Sequence, residues 1–241
     1  MTNPATSSSS SSTPRSMSVY GSTSPSNSSS VPSSAPRATG GYLATTTRST
    51  GSTGSLRYDI AVPRVIGGKP RIAALFNRAT STRSHDFVMK FSGRPPVTTV
   101  NDSKLDSTEH TRVATITDRV IAGVSIYLWY TAGAAHPNFD VTTVVVDAAR
   151  ARLIDRDELF SDWARARTRL AELAPAYDPS GRLRRSPPTS YDPPAWIPTA
   201  DGLRVYMAVP HAIGDYVPVT IPWSQIRSEI APELRETVGA G

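Results

Sequence analysis

The chain has 241 residues, a formal net charge of +6 and no cysteine. The missing cysteines exclude disulfides, thiol catalysis and cysteine-ligated metals, although they leave the cellular compartment open. The charge does not mark a nucleic-acid binder: Arg15, Arg37 and Arg48 lie in an acid-free segment, and later charges alternate in sign, as in Arg150, Arg152, Asp155, Arg156, Asp157 and Glu158.

The first 56 residues hold nineteen serines and ten threonines, with no Asp, Glu or Lys. Such a segment has too little apolar surface to offset its ordering entropy, so residues 1–55 are expected to form a disordered Ser/Thr/Pro-rich tail. The residues after Met1 show neither a basic leader nor an apolar signal core. This composition suits a spacer between a membrane anchor and a surface domain, which leaves room for an anchor upstream. The apolar run Val120–Tyr130 is too short for a transmembrane helix and reads as a strand.

A single domain over residues 56–238 is expected to follow. Leu56, Tyr58, Ile60 and Val62 alternate with Arg57, Asp59 and Ala61, the period of a strand. Gly67 and Gly68 break it, and Pro70 opens a helix carrying Ile72, Leu75 and Phe76. Alternation from His85 to Phe91 predicts a second strand. In Val120–Tyr130, even-numbered residues from Val120 to Leu128 share one face, and Ser125, Tyr127 and Trp129 share the other. After a turn over 131–138, the Val/Thr run Phe139–Val146 predicts the return arm of an antiparallel hairpin. Asp155, with Glu158 three residues on, resembles a capping box for a helix burying Leu159, Trp163, Ala166 and Leu170. Pro187–Pro198 reads as irregular, and Leu203–Met207 and Val217–Ile221 as short strands. Pro222 starts a last helix with Ile226 and Ile230 on its apolar side. With no regular βαβ rhythm, the expected class is α+β.

The turn Gly133-Ala134-Ala135-His136-Pro137-Asn138 follows the aromatic strand end Tyr127-Leu128-Trp129-Tyr130. It resembles the Gly-Gly-Ala-His-Pro-Asn turn of a domain family that includes the extracellular part of the anti-sigma factor RsiV and secreted mycobacterial immunogenic proteins. Further along, Ile154-Asp155-Arg156-Asp157-Glu158-Leu159-Phe160 resembles the family's acidic helix start. Asp201-Gly202-Leu203-Arg204-Val205-Tyr206, Val209-Pro210-His211 and Val219-Thr220-Ile221-Pro222-Trp223 then match its C-terminal strands in order and spacing. The resemblance is strongest over residues 119–235. The sequence departs from the pattern at Ala132 and Ala134, where paired glycines are usual, and at His211, where a Tyr is usual. The resemblance implies a curved antiparallel sheet packed on two or three helices. It also implies an extracytoplasmic binding or sensing module of the envelope or secreted fraction; it does not identify the partner, and analogy points to a lysozyme-like protein or another envelope or extracellular protein or glycan. The cytoplasmic and membrane parts of RsiV have no counterpart here, so sigma-factor control is not implied.

Trp129, Tyr130, His136 and Asn138 are the candidate binding residues. For His136 the alternative is a structural ring that hydrogen-bonds its own loop, and for the aromatics it is a place in the core or its rim. Some relatives carry an esterase label, which makes Ser125, His136 and Asp140 a conceivable triad. The Gly-x-Ser-x-Gly elbow is absent, however, and Ser125 lies within a strand. The four histidines, His85, His110, His136 and His211, are far apart in sequence with no His-x-x-x-His spacing, so no metal site is expected. No glycine-rich phosphate loop opens a helix, so no cofactor is expected either.

Overall fold

The computed structural model describes residues 41–53, 56–92, 103–106, 110–130, 135–188 and 195–241. Most of the expected tail therefore lies outside the described residues. Among those described, ten strands and six helices form an α+β domain.

The domain begins earlier than its composition suggests. Strand β1 (Tyr42–Thr53) pairs antiparallel with β2 (Leu56–Gly67) along its whole length. Tyr42 anchors it: the side chain is buried, and its hydroxyl accepts a hydrogen bond from the Lys69 amide at 3.2 Å. Residues 42–53, expected in the tail, are thus a paired strand of the sheet. Thr and Ser serve an edge strand well, since β-branched side chains fit a half-exposed pleat.

Helix α1 spans Pro70–Ser92 and includes the segment expected to be a strand at His85–Phe91. Ile72, Phe76, Thr80, Ser84, Phe87 and Val88 are all buried, a stripe at helical spacing that overrides the short alternation. Strands β3 (Ser103–Asp106), β4 (Arg112–Ile116), β5 (Val120–Tyr130), β6 (Asn138–Asp147) and β7 (Arg152–Leu153) complete a seven-stranded sheet ordered β1-β2-β3-β5-β6-β7. Both β3 and β4 pair with β5, and the β2–β3 pair is parallel, so the sheet is antiparallel but for that pair.

The predicted hairpin is present as β5–β6, in register from Val120↔Asp147 to Trp129↔Asn138. Its two faces support two different layers. Ile121, Tyr127, Val144 and Val146 pack beneath α1. There Phe87 stacks on Tyr127 at 4.0 Å between ring centroids, and the Ser84 and Tyr127 hydroxyls share a 3.0 Å hydrogen bond. Gly123 lies on this face because any Cβ there would come within 2.7 Å of the Phe76 ring.

The opposite face, with Val120, Ala122, Val124, Ile126, Val141 and Val145, packs on a second layer. Short helices α2 (Arg156–Leu159), α3 (Trp163–Leu173) and α4 (Arg182–Arg185) lead into it. A three-stranded antiparallel sheet follows, formed by β8 (Ala195–Pro198), β9 (Gly202–Ala208) and β10 (Tyr216–Pro222). Helices α5 (Trp223–Ile226) and α6 (Pro232–Val238) close the chain.

Three further expectations need correction. The Asp155 helix starts with its capping box but stops at Leu159, because Asp162 caps a second helix by accepting from the Arg165 amide at 3.1 Å. The Pro222 helix likewise splits, since Ile230 leaves it to bridge Phe160. The Pro187–Pro198 stretch ends in β8, which pairs with the middle of β9. No described helix is long and apolar enough to cross a membrane.

Candidate functional site

The β5–β6 hairpin runs from the centre of the domain to one end, about 33 Å at roughly 3.3 Å per residue. Trp129 and Tyr130 close β5, and Asn138 opens β6 directly opposite Trp129. All three are half-buried, and His136 in the turn is exposed. The candidate binding residues are therefore gathered at one hairpin end. Residues 131–134 of that turn lie outside the described residues.

Two ties fix this end. Within the hairpin, the Trp129 indole Nε1 donates to Asp140 Oδ2 at 3.0 Å. Across the layers, the turn between β9 and β10 reaches the hairpin through His211 and Asp215. His211 begins a 3-10 turn after Pro210, and its Nε2 meets His136 Nδ1, with the two rings 3.9 Å apart between centroids. The Nδ1 of His211 lies 2.6 Å from Asp215 Oδ1, while Asp215 Oδ2 accepts from the Phe139 amide at 2.8 Å. One carboxylate thus holds both the His211 ring and the first residues of β6.

Asp215 can do this because of its backbone. Its φ is +64°, a left-handed conformation that Asp and Asn tolerate better than most residues, and it follows Gly214 at φ +107°. Its carbonyl accepts from the Val209 amide at 2.8 Å, which closes the loop on itself. Arg182 braces the same loop by donating to the Ile213 carbonyl at 2.8 Å. Next to Asp215, Tyr216 packs edge-on to Phe139 and tilted against Tyr206. Burial pushes both phenols above the ordinary tyrosine range, and the nearby charge of Arg112 only partly offsets this.

The conceivable triad is not assembled. Asp140 is engaged by the Trp129 indole, and His136 meets His211 instead. Ser125 is buried and pairs with Thr142, four ladder positions (about 13 Å) up the hairpin from the Trp129–Asn138 pair. A cleft of about 590 Å³ lies beside the opposite end of β5, between β4 and α6, and includes Ala44, Thr115, Arg119 and Glu236. None of the candidate site residues lines it.

His211 and Asp215 are the site residues that sequence reasoning passed over. His136 and His211 are 75 residues apart in sequence yet in direct contact, which corrects the impression that the histidines are isolated. Even so, no group of three or more His, Cys, Asp or Glu residues able to hold a metal ion occurs among the described residues.

No family model matches the sequence, and no curated protein does. A solved structure shares the fold. A member of the DUF3298 family from Bacteroides fragilis superposes with a TM-score of 0.56 at 12% identity, covering 84% of this chain and 99% of that one. A DUF3298 family protein from Pseudomonas aeruginosa superposes with a TM-score of 0.49 at 14% identity, covering 80% and 95%. At 12% identity the likeness to the Bacteroides fragilis protein is one of fold, and it is a likeness to a domain of unknown function.

Proposed function

We propose that the chain is a non-enzymatic extracytoplasmic binding module of the envelope or secreted fraction, and that its binding face is the end of the β5–β6 hairpin. The observation that supports this best is the grouping of Trp129, Tyr130, His136 and Asn138 at one end of the antiparallel β5–β6 ladder, tied to the second sheet through His211. Flat aromatic side chains beside polar turn groups suit a sugar ring or a protein hot spot, because they offer apolar area together with orienting hydrogen bonds. The fold likeness to a DUF3298 protein is compatible with this reading, and the resemblance to the RsiV domain supplies the partner class: a lysozyme-like protein or a peptidoglycan-like glycan.

The esterase alternative is disfavoured by positive placements, since Asp140 and His136 each have another partner.

The test uses the full chain. Binding to immobilised peptidoglycan and to purified lysozyme is measured by pull-down and calorimetry, and short acyl-ester hydrolysis is assayed in parallel. Tyr130→Ala should weaken binding roughly tenfold, as for an interface hot spot, with little change in melting temperature. An ester-hydrolysis rate above background that Ser125→Ala abolishes would overturn the reading, as would the absence of binding to both probes.

A further inference from the structure

The His136–His211–Asp215 chain joins the two layers at the proposed face, and it has a requirement that ordinary packing lacks. A hydrogen bond between two imidazoles needs one ring nitrogen to donate and the other to accept. Because Asp215 Oδ2 is occupied by the Phe139 amide, Oδ1 is left to take the Nδ1 proton of His211. That leaves His211 Nε2 facing His136 Nδ1, and the pair holds together whether it carries no positive charge or one. Once both rings are protonated, two N–H groups oppose each other and the bond is lost.

We infer that His211 and Asp215 are positioning residues that hold the His136 turn through a proton-operated clasp, closed while at least one ring is neutral and opened when both are charged. This inference rests on the hairpin-end reading of the binding face and adds its regulation. Histidine is the side chain whose ordinary charge change falls between about pH 5 and 8, so the clasp works over a range that an extracytoplasmic surface meets.

Asp215 is the carboxylate in contact with the pair, while Asp140 accepts from the Trp129 indole. From α4, Arg182 places its guanidinium on the Ile213 carbonyl, and its Nη1 would lie 2.9 Å from a Cβ at Gly214. From β4, Arg112 acts on Tyr206 and Tyr216, whose phenols stay neutral in this range. Opening releases only the turn, because the β5–β6 ladder continues beneath it for ten residue pairs.

The experiment is hydrogen exchange with mass spectrometry on the full chain from pH 8 to pH 5, with rates corrected for the intrinsic pH dependence. Peptides covering residues 135–140 and 209–216 should lose protection roughly two- to tenfold on acidification, the worth of a net hydrogen bond, while peptides from the centre of β5 should not change. His136→Gln and His211→Gln should each abolish this pH dependence, and a buried-core peptide serves as the check that each variant is folded. Should either variant fail to fold, the other and Asp215→Asn carry the same comparison. Protection of the two turns that is independent of pH in the wild type, or a pH dependence that survives in both histidine variants, would overturn the clasp. No partner takes part in this measurement, so the clasp and the binding reading can fail separately. If both hold, acidification should weaken binding in the wild type, and binding by His211→Gln should not depend on pH.

Discussion

Replacing Asp215 gives the sharpest test of how the two layers are joined. Its carboxylate accepts from the Phe139 amide at 2.8 Å and meets His211 Nδ1 at 2.6 Å, and its side chain is only 15% exposed. Hydrogen bonds to a charged group are worth about 1.5–3 kcal/mol each when buried, and partial exposure of the His211 ring places the second near or below the lower limit. Asp215→Ala also leaves a β-carbon residue at φ +64° without a local side-chain hydrogen bond, a conformation costing such residues about 1–2 kcal/mol. Allowing for non-additivity, the expected loss is about 3 kcal/mol, which for a domain of this size is roughly 6–12 °C in melting temperature.

Asp215→Asn separates these contributions. Asparagine tolerates the left-handed backbone, and its amide can still accept from Phe139 and donate to His211, so the expected loss is about 1 kcal/mol. Thermal and urea unfolding of the two variants, together with a double-mutant cycle against His211→Ala, measure the ranking and the Asp–His coupling. The reasoning is wrong if Asp215→Asn costs as much as Asp215→Ala, or if Asp215→Ala lies within about 0.5 kcal/mol of the wild type, the usual range for an ordinary surface change.

Other positions test the core and its polar fastenings. Gly202→Ala should block folding or cost several kcal/mol, because a Cβ there would stand 2.0 Å from the Ile221 carbonyl oxygen within the β9–β10 ladder; soluble yield and circular dichroism report it. Gly123→Ala should cost a milder 1–3 kcal/mol by urea unfolding, since the obstructing atom belongs to the Phe76 side chain. Asp178 supplies a pH prediction. Burial alone would raise its pKa, but hydrogen bonds from Ser180 and from the Leu183 amide, with the charge of Arg182, more than reverse this and hold it below the ordinary value. A depressed carboxyl stabilises the fold above its unfolded pKa, and that contribution is lost as pH falls through the folded value. Stability should therefore drop below about pH 4, and Asp178→Asn should flatten that limb when melting is followed from pH 6 to pH 2.

Where one clear period ran through a long apolar segment, the sequence was sufficient. The β5–β6 hairpin was legible because its odd and even positions face two different cores and both are apolar. Reading failed where local pattern and tertiary partner disagreed. Alternation at His85–Phe91 looked like a strand, yet the stripe from Ile72 to Val88 continues at helical spacing and packs on the sheet. Strand β1 carries almost no apolar signal, because an edge strand satisfies its backbone on β2 and needs only Tyr42 as an anchor. Asp162 escaped notice as a second cap because Leu159, Trp163, Ala166 and Leu170 keep a helical rhythm across the break. The break itself is set by distant backbone partners: the Ser161 amide donates to the Glu229 carbonyl and the Ala231 amide to the Leu159 carbonyl.

The site divides along the same line. Trp129, Tyr130, His136 and Asn138 are near in sequence and joined by one hairpin, so a turn motif was enough to group them. His211 and Asp215 come from the other sheet, and only the packing of β9 and β10 beneath β5 and β6 brings them to that turn. One signal for them was in the chain: a Gly214-Asp215 pair, both with positive φ, sits between two strands where the resemblance places a tyrosine nearby and this sequence has His211. A tyrosine at that place could offer His136 a hydroxyl to donate or accept at any ordinary pH. A histidine ties the same two elements but makes the tie conditional on charge. The departure from the family pattern therefore falls on the residue that decides whether the proposed face is held permanently or held by a proton. Replacing His211 by Tyr should leave the turn protected at both ends of the pH range.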